Sequence, residues 1–154
     1  MQTEKKRAQF PFVSPGIQQS REGTNNHFAF ITDDCGIHTA FELIKFKLRN
    51  ECDSFLSLIY SVNGPFSHPL FVAELESLGR RYYSQLITYY EYSGGMENPG
   101  NSDINQQLLE IIINSNTCEM LQFLVLGQED LVIRVTGRLL FLGIQPNQIH
   151  SQIL

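Results

Sequence analysis

The sequence has no run of apolar residues approaching the length of a membrane span, and its first residues lack the make-up of a signal peptide. A soluble, cytoplasmic protein is the expectation, with no membrane partner. Cysteine is scarce. Cys35, Cys52 and Cys118 are odd in number and far apart, forming neither a zinc pattern nor a CxxC redox pair, so free thiols and no metal site are expected. Positive charge is also in deficit, with 11 Lys and Arg against 16 Asp and Glu and a formal net charge of −5. The basic residues are scattered apart from Lys5-Lys6-Arg7 and Arg80-Arg81, which argues against nucleic acid as a partner. No internal repeat is present. Against these absences, the 154 residues are 42% hydrophobic and 18% charged, the composition of one globular domain with a proper core.

The chain is organised around HFAFITDDCGIHTAFELIKFKL. Phe28–Ile31 has the length and aromatic content of a buried strand. Asp33–Gly36 is a turn, and Ile37, Phe41, Ile44 and Leu48 then recur at three- and four-residue spacing, which makes one apolar helical face. Such a turn, at the carboxyl end of a central strand, offers the free N–H groups of a helix N-terminus to an anion. Here it carries two acids where a phosphate cradle would want glycines.

The remaining chain alternates in the same way. Residues Met1–Asn26 are polar and broken by Pro11, Pro15 and Gly16, and read as an arm or linker in which only Phe10–Val13 is apolar enough to dock. Phe55–Tyr60 is a second strand, followed by a loop over Ser61–Pro65. A helix from about His68 to Tyr82 is expected, capped by Ser67, with Pro69 in its first turn and Phe71, Leu75 and Leu78 as its apolar face. Leu86–Tyr92 is β-branched and aromatic. Ser93–Ser102 reads as loop, and Leu108–Ile113 lie in a helix capped by Ser102 or Asp103. Met120–Leu126 is a fourth strand. A helix from Glu129 to Leu142 ends at Gly143, which suits a left-handed cap, and Gln148–Ile153 is a last strand. The order β-α-β-α-β-α-β-α-β implies an α/β fold with a doubly wound, five-stranded parallel sheet. Its ligand crevice would lie beyond strands one and four, with the turns Asp33–Gly36 and Gly127–Asp130 side by side.

In this frame the chain resembles the nucleotide-binding half of the ferredoxin–NADP reductase superfamily, in particular the reductase components of phenylacetyl-CoA-type oxygenases. Where that family ends its first strand in A-G-G-T/S-G-I-T-P, this sequence has Thr32-Asp33-Asp34-Cys35-Gly36-Ile37-His38-Thr39. For L-I-Y-G-N-R and L-F-x-x-E-L it has Leu58–Asn63 and Leu70–Leu75. For C-G-P, L-G-V-P and I-H it has Leu126-Gly127-Gln128, Leu142–Pro146 and Ile149-His150. The match runs from about His27 to the end, so residues 1–26 are an arm, carrying at most a remnant of the flavin domain at Ser14-Pro15-Gly16, and 27–154 are an NAD(P)-binding-like domain. The resemblance implies that a nucleotide would meet Gly36, Ile37, His38, Thr39 and Gly127 at its phosphates and nicotinamide. Ser61 and Asn63 would lie toward the adenosine.

The departures from the family pattern bear on function. Asp33 and Asp34 replace two glycines. At roughly 5 Å and an effective dielectric near 20, each would oppose a phosphate by about 3 kcal/mol before screening. The family arginine becomes Asn63, the cysteine near the hydride-transfer centre becomes Leu126, and the flavin barrel that precedes this domain in the family is expected to be missing. Arg81–Ser84 matches the family's R-x-Y-S flavin signature in letters but falls at the end of a helix, so FAD is not expected in this chain.

Asp33 and Asp34 have three readings: carboxylates capping the free N–H groups of the helix, a vestigial NAD(P) site, or a cation site with Cys35 and His38. Cys35 beside a helix N-terminus could be reactive, although the two acids oppose that. His27, His68 and His150 show no pairing, and no residue is marked as catalytic. One functional expectation is a degenerate reductase-like domain that has lost hydride transfer and serves as an interaction or scaffold module, as a homodimer or with a partner protein. The other is an NAD(P)H-binding component working with a separate flavin subunit.

Overall fold

The computed structural model describes residues 26–63, 68–93, 106–118 and 120–154. The arm, the Ser67 cap, and the caps Ser102 and Asp103 expected for the third helix lie outside the described residues. The elements are β1 (Asn26–Thr32), α1 (Ile37–Asn50), β2 (Phe55–Asn63), α2 (Val72–Arg81), β3 (Leu86–Ser93), α3 (Gln106–Ser115), β4 (Met120–Gly127), α4 (Glu129–Phe141) and β5 (Ile149–Ile153), with a short 3₁₀ turn at Pro146–Gln148 before β5. The sheet order is β3-β2-β1-β4-β5, with every pair parallel. The expected doubly wound α/β architecture is therefore present, and the chain reverses its direction of winding between β1 and β4.

Period-two alternation along each strand divides the core into two layers. Ala29, Ile31, Ile59, Phe123 and Val125 pack toward α3 and α4, where they meet Leu109, Ile112, Leu131, Val135 and Leu139. Phe30, Leu56, Leu58, Tyr60 and Leu126 face the other way, onto Ile37, Ala40, Phe41, Ile44 and Leu48 of α1 and Leu75 of α2. All four residues of the apolar face read for α1 are buried.

Two boundaries differ from expectation by three residues or more. Ser61–Asn63 continue β2, in register with Glu91–Ser93 of β3, because their ladder partners extend as far as they do. Helix α2 starts at Val72, so His68 and Pro69 precede it. The Leu70 N–H donates to the Tyr60 hydroxyl at 2.9 Å, and Phe71 is held at φ 61° with its ring stacked on Phe41 at 4.8 Å. A left-handed residue cannot belong to a right-handed helix, so these tertiary contacts delay the start. The end of α4 follows expectation to within one residue, at Phe141. Gly143 has φ 96°, its N–H donates to the Leu140 carbonyl, and the Ile144 N–H donates to the Leu139 carbonyl. This is the paired bonding of a Schellman cap, with Leu139 and Ile144 both in the α3–α4 layer.

Candidate functional site

β1 and β4 are adjacent, so the turn after β1 and the turn after β4 meet at the carboxyl edge of the sheet. Asp33 links them. Its Oδ1 accepts the N–H of Cys35 at 2.9 Å and of Gly36 at 3.1 Å, and its Oδ2 accepts the N–H of Gln128 at 3.0 Å. Gln128 is the N-cap of α4 and Gly36 that of α1, so one buried carboxylate takes amides at the starts of two helices. A charged acceptor with three N–H donors fits the positive ends of both helices.

The backbone closes tightly on this carboxylate. A Cβ on Gly127 would lie 2.6 Å from Asp33 Oδ1, and a Cβ on Gly36 would lie 2.2 Å from the Leu126 carbonyl oxygen and 2.4 Å from Thr32 Oγ1. Both glycines are thus required by the close approach of the two turns. The capping expectation holds for Asp33 and not for Asp34, whose Oδ1 instead accepts the Tyr60 hydroxyl at 2.5 Å. Burial and this carboxylate together push the Tyr60 phenol well above its ordinary pKa. Tyr60 therefore joins Asp34 to Leu70 and ties the β1–α1 turn to the approach to α2.

The other residues singled out in the sequence fall as follows. Ile37 is wholly buried in the α1–α2 layer. His38 is exposed, 5.9 Å from the Phe71 ring, and Thr39 is half-buried. Ser61 is buried and by alternation shares the sheet face of Ile59, away from α1. Asn63 ends β2, and its side chain lies outside the described residues. Gly36, Gly127 and Gln128 are brought together around Asp33. His38 and Thr39 lie along the first turn of α1, and Ser61 belongs to a different face. All three cysteines are free, Cys35 being exposed. Among the described residues no group of three His, Cys, Asp or Glu side chains could hold a metal ion.

No protein-family model matches the sequence, and no curated protein matches it. Solved structures do. The CS-b5R domains of human Ncb5or in the NAD+ form align with TM-score 0.66 at 14% identity, covering 82% of this chain and 36% of that one. A variant of ferredoxin-NADP+ reductase from Plasmodium falciparum aligns with TM-score 0.64 at 18% identity, covering 84% and 52%. Flavohemoglobin from Malassezia yamatoensis, with bound FAD and heme, aligns with TM-score 0.65 at 12% identity, covering 86% and 33%. This chain has the fold of the ferredoxin–NADP reductase nucleotide-binding domain. It spans about a third to a half of the length of these solved chains.

Within the reductase-type fold, Arg81–Ser84 occupy the end of α2 and the turn before β3, with Tyr83 exposed, and are not on a strand. Among the described residues no helix is long and apolar enough to cross a membrane. Two histidines read as unpaired are paired. His150 Nε2 lies 2.8 Å from Gln122 Oε1. His27 is buried with Nε2 2.8 Å from Ser57 Oγ and Nδ1 3.1 Å from Asn116 Oδ1. Burial lowers its pKa to about 4, and the Asn116 hydrogen bond opposes that shift. Sequence reasoning missed this cluster because its members are 30 and 89 residues apart from His27.

Proposed function

We propose that this is a ferredoxin reductase-type nucleotide-binding domain whose anion cradle is filled by its own Asp33, and which has lost hydride-transfer chemistry and serves as an interaction or scaffold module. The observation that carries the reading is the set of three N–H bonds to Asp33 at the switch point between β1 and β4. In an open α/β sheet this is where a ligand's anionic group would be received. A phosphate would have to displace a buried carboxylate already bonded to three N–H groups and accept a second carboxylate, Asp34, in the same turn. Asn63 and Leu126 stand where the resemblance would want an arginine and a cysteine.

Calorimetric titration with NADH and NADPH at low salt and neutral pH tests this. The native chain is expected to give no heat of binding. Asp33→Gly/Asp34→Gly, checked for folding by circular dichroism, is expected to gain binding. Micromolar binding by the native chain would overturn the reading. It would favour instead an NAD(P)H-binding component that works with a separate flavin protein, a role in keeping with the FAD in the flavohemoglobin of like fold. Homodimer or partner contacts belong to the first reading, and light scattering of the purified chain reports on them.

A further inference from the structure

Among the described residues β5 pairs only with β4, so it is an edge of the sheet, and His150, Ser151, Gln152 and Ile153 are all exposed. The Leu154 N–H donates inward to the Gly127 carbonyl at 2.8 Å. By alternation the backbone groups of Ile149, Ser151 and Ile153 face outward. Such an edge is a template for another strand, and β5 has no Lys or Pro to blunt it. Its side chains alternate too. Ile149 packs against the α3–α4 layer, so Ser151 and Ile153 share that face of the sheet, and His150 and Gln152 are on the other. Two features of β5 indicate what fits its edge. Ile149-His150-Ser151-Gln152-Ile153 runs apolar, polar, small, polar, apolar from either end. The strand also has no Asp, Glu, Lys or Arg, so in a chain of net charge −5 it can meet its own copy without bringing carboxylates together.

We propose that the open edge of β5 pairs antiparallel with the same edge of a second copy of this chain, about a two-fold axis at Ser151. An axis perpendicular to the sheet keeps every side chain on its own face and sets outward backbone groups against outward ones. Ser151 then faces its own copy, and Ile149 faces Ile153 of the second copy at both ends of the ladder. These are hydrogen-bonded pairs, each exchanging N–H···O bonds in both directions. Between them His150 opposes the second copy's Gln152, polar against polar, at the closer non-hydrogen-bonded positions. Ile153, 57% exposed in the single chain, is covered by Ile149 of the copy. An axis at Ser151 is the one that pairs the whole of β5; any other leaves part of the strand unmatched. The order β3-β2-β1-β4-β5 runs on into its reverse, giving one continuous sheet. Edges this short bury less than the roughly 1,200 Å² at the lower end of stable complexes, so association is weak and depends on concentration. The proposal supplies a surface for the homodimer that the scaffold reading allows, and it holds whether or not the cradle binds nucleotide.

Sedimentation of the full chain over a concentration series tests it. The native chain is expected to pass from monomer to dimer as concentration rises, with the Ser151 and Ile153 amides exchanging more slowly in the concentrated sample. Ser151→Pro removes an outward N–H and no bond to β4, and Ile153→Lys places a charge on the edge. Each is expected to weaken association at least tenfold, with a thermal melt in dilute solution like that of the native chain. Phe141→Ser, a change on the outer side of α4, should leave association as it is. A chain that stays monomeric up to near-millimolar concentration overturns the proposal. So does a dimer that survives both β5 variants, or one that Phe141→Ser abolishes, which would assign the contact to α4.

Discussion

Asp33 holds amides from two helix starts that have no other described acceptor in their turns, apart from a second bond from Gly36 N–H to the Asp33 carbonyl. Replacing it by alanine takes a charged acceptor from three N–H groups. Two are on the exposed Cys35 and Gln128, and one is on the buried Gly36, which keeps its bond to the Asp33 carbonyl. A hydrogen bond to a charged group is worth about 1.5–3 kcal/mol. Asp33→Ala is therefore expected to lose about 3 kcal/mol in urea unfolding, with Asp33→Asn intermediate because it retains one acceptor oxygen. Gly127→Ala should behave like Asp33→Ala, since its new methyl would press on that carboxylate. The two changes together should cost less than their sum. Two neighbouring tyrosines provide a contrast at the same scale. The rings of Tyr60 and Tyr90 are 6.0 Å apart on adjacent strands. The Tyr60 hydroxyl donates to Asp34 and accepts from Leu70, whereas the buried Tyr90 hydroxyl has no hydrogen-bond partner among the described residues. Tyr60→Phe should cost about 1–2 kcal/mol, and Tyr90→Phe should be neutral or slightly stabilising. A loss from Tyr90→Phe as large as that from Tyr60→Phe would mean that its hydroxyl is in use.

At the scale of elements, the Schellman cap of α4 rests on one backbone conformation. Gly143 at φ 96° has open space around it, so Gly143→Ala isolates the cost of the positive φ, about 1 kcal/mol, from any clash. A thermal melt unchanged within error would show that the helix ends by another route. This cap was legible in the sequence because it is local: a glycine after an apolar helix, with a proline three residues on. Four of the five buried residues of α1, all but Ala40, were legible for the same reason, their spacing being a property of the segment alone. The start of α2 was not. Ser67 and Pro69 are reasonable local signals, but the conformation at Leu70 and Phe71 follows Tyr60 and Phe41, and neither contact has a signature near residue 70. The candidate site divides in the same way. That Asp33 would cap the following turn follows from its place two residues before Cys35. Its bond to Gln128, across 95 residues, follows only from β1 and β4 lying side by side, and the turn of Asp34 toward Tyr60 was hidden likewise.

For the whole molecule, the two ends of the sheet are fastened by different chemistry. At the carboxyl end a charged carboxylate joins the turns after β1 and β4. At the amino end a neutral network does the equivalent work. His27 on β1 reaches Ser57 on β2 and Asn116 in the connection from α3 to β4, with the Phe55 ring edge-on at 5.0 Å. Asn116 Oδ1 also accepts the Cys118 N–H, which fixes it for His27. This network depends on an uncharged imidazole. The folded chain holds His27 at about 4, and an unfolded chain would hold it near 6.5. Below 6.5 the unfolded state binds the proton more readily, so the stability contributed by neutral His27 is complete above that pH. It declines as pH falls from 6.5 toward 4 and is fully lost below, a difference of about 3 kcal/mol. Urea midpoints at pH 7.5, 6.0, 5.0 and 4.0 should therefore fall progressively in the native chain. His27→Gln can still hydrogen-bond and cannot titrate. Its midpoint should start lower and change less between pH 6.5 and 4.5, leaving only the effect of carboxylate protonation at the acid end. Parallel curves for the two proteins would show that His27 takes up its proton without loss of the folded state. The amino-end network would then be stable with a charged ring, its Ser57 hydroxyl turned to accept rather than donate.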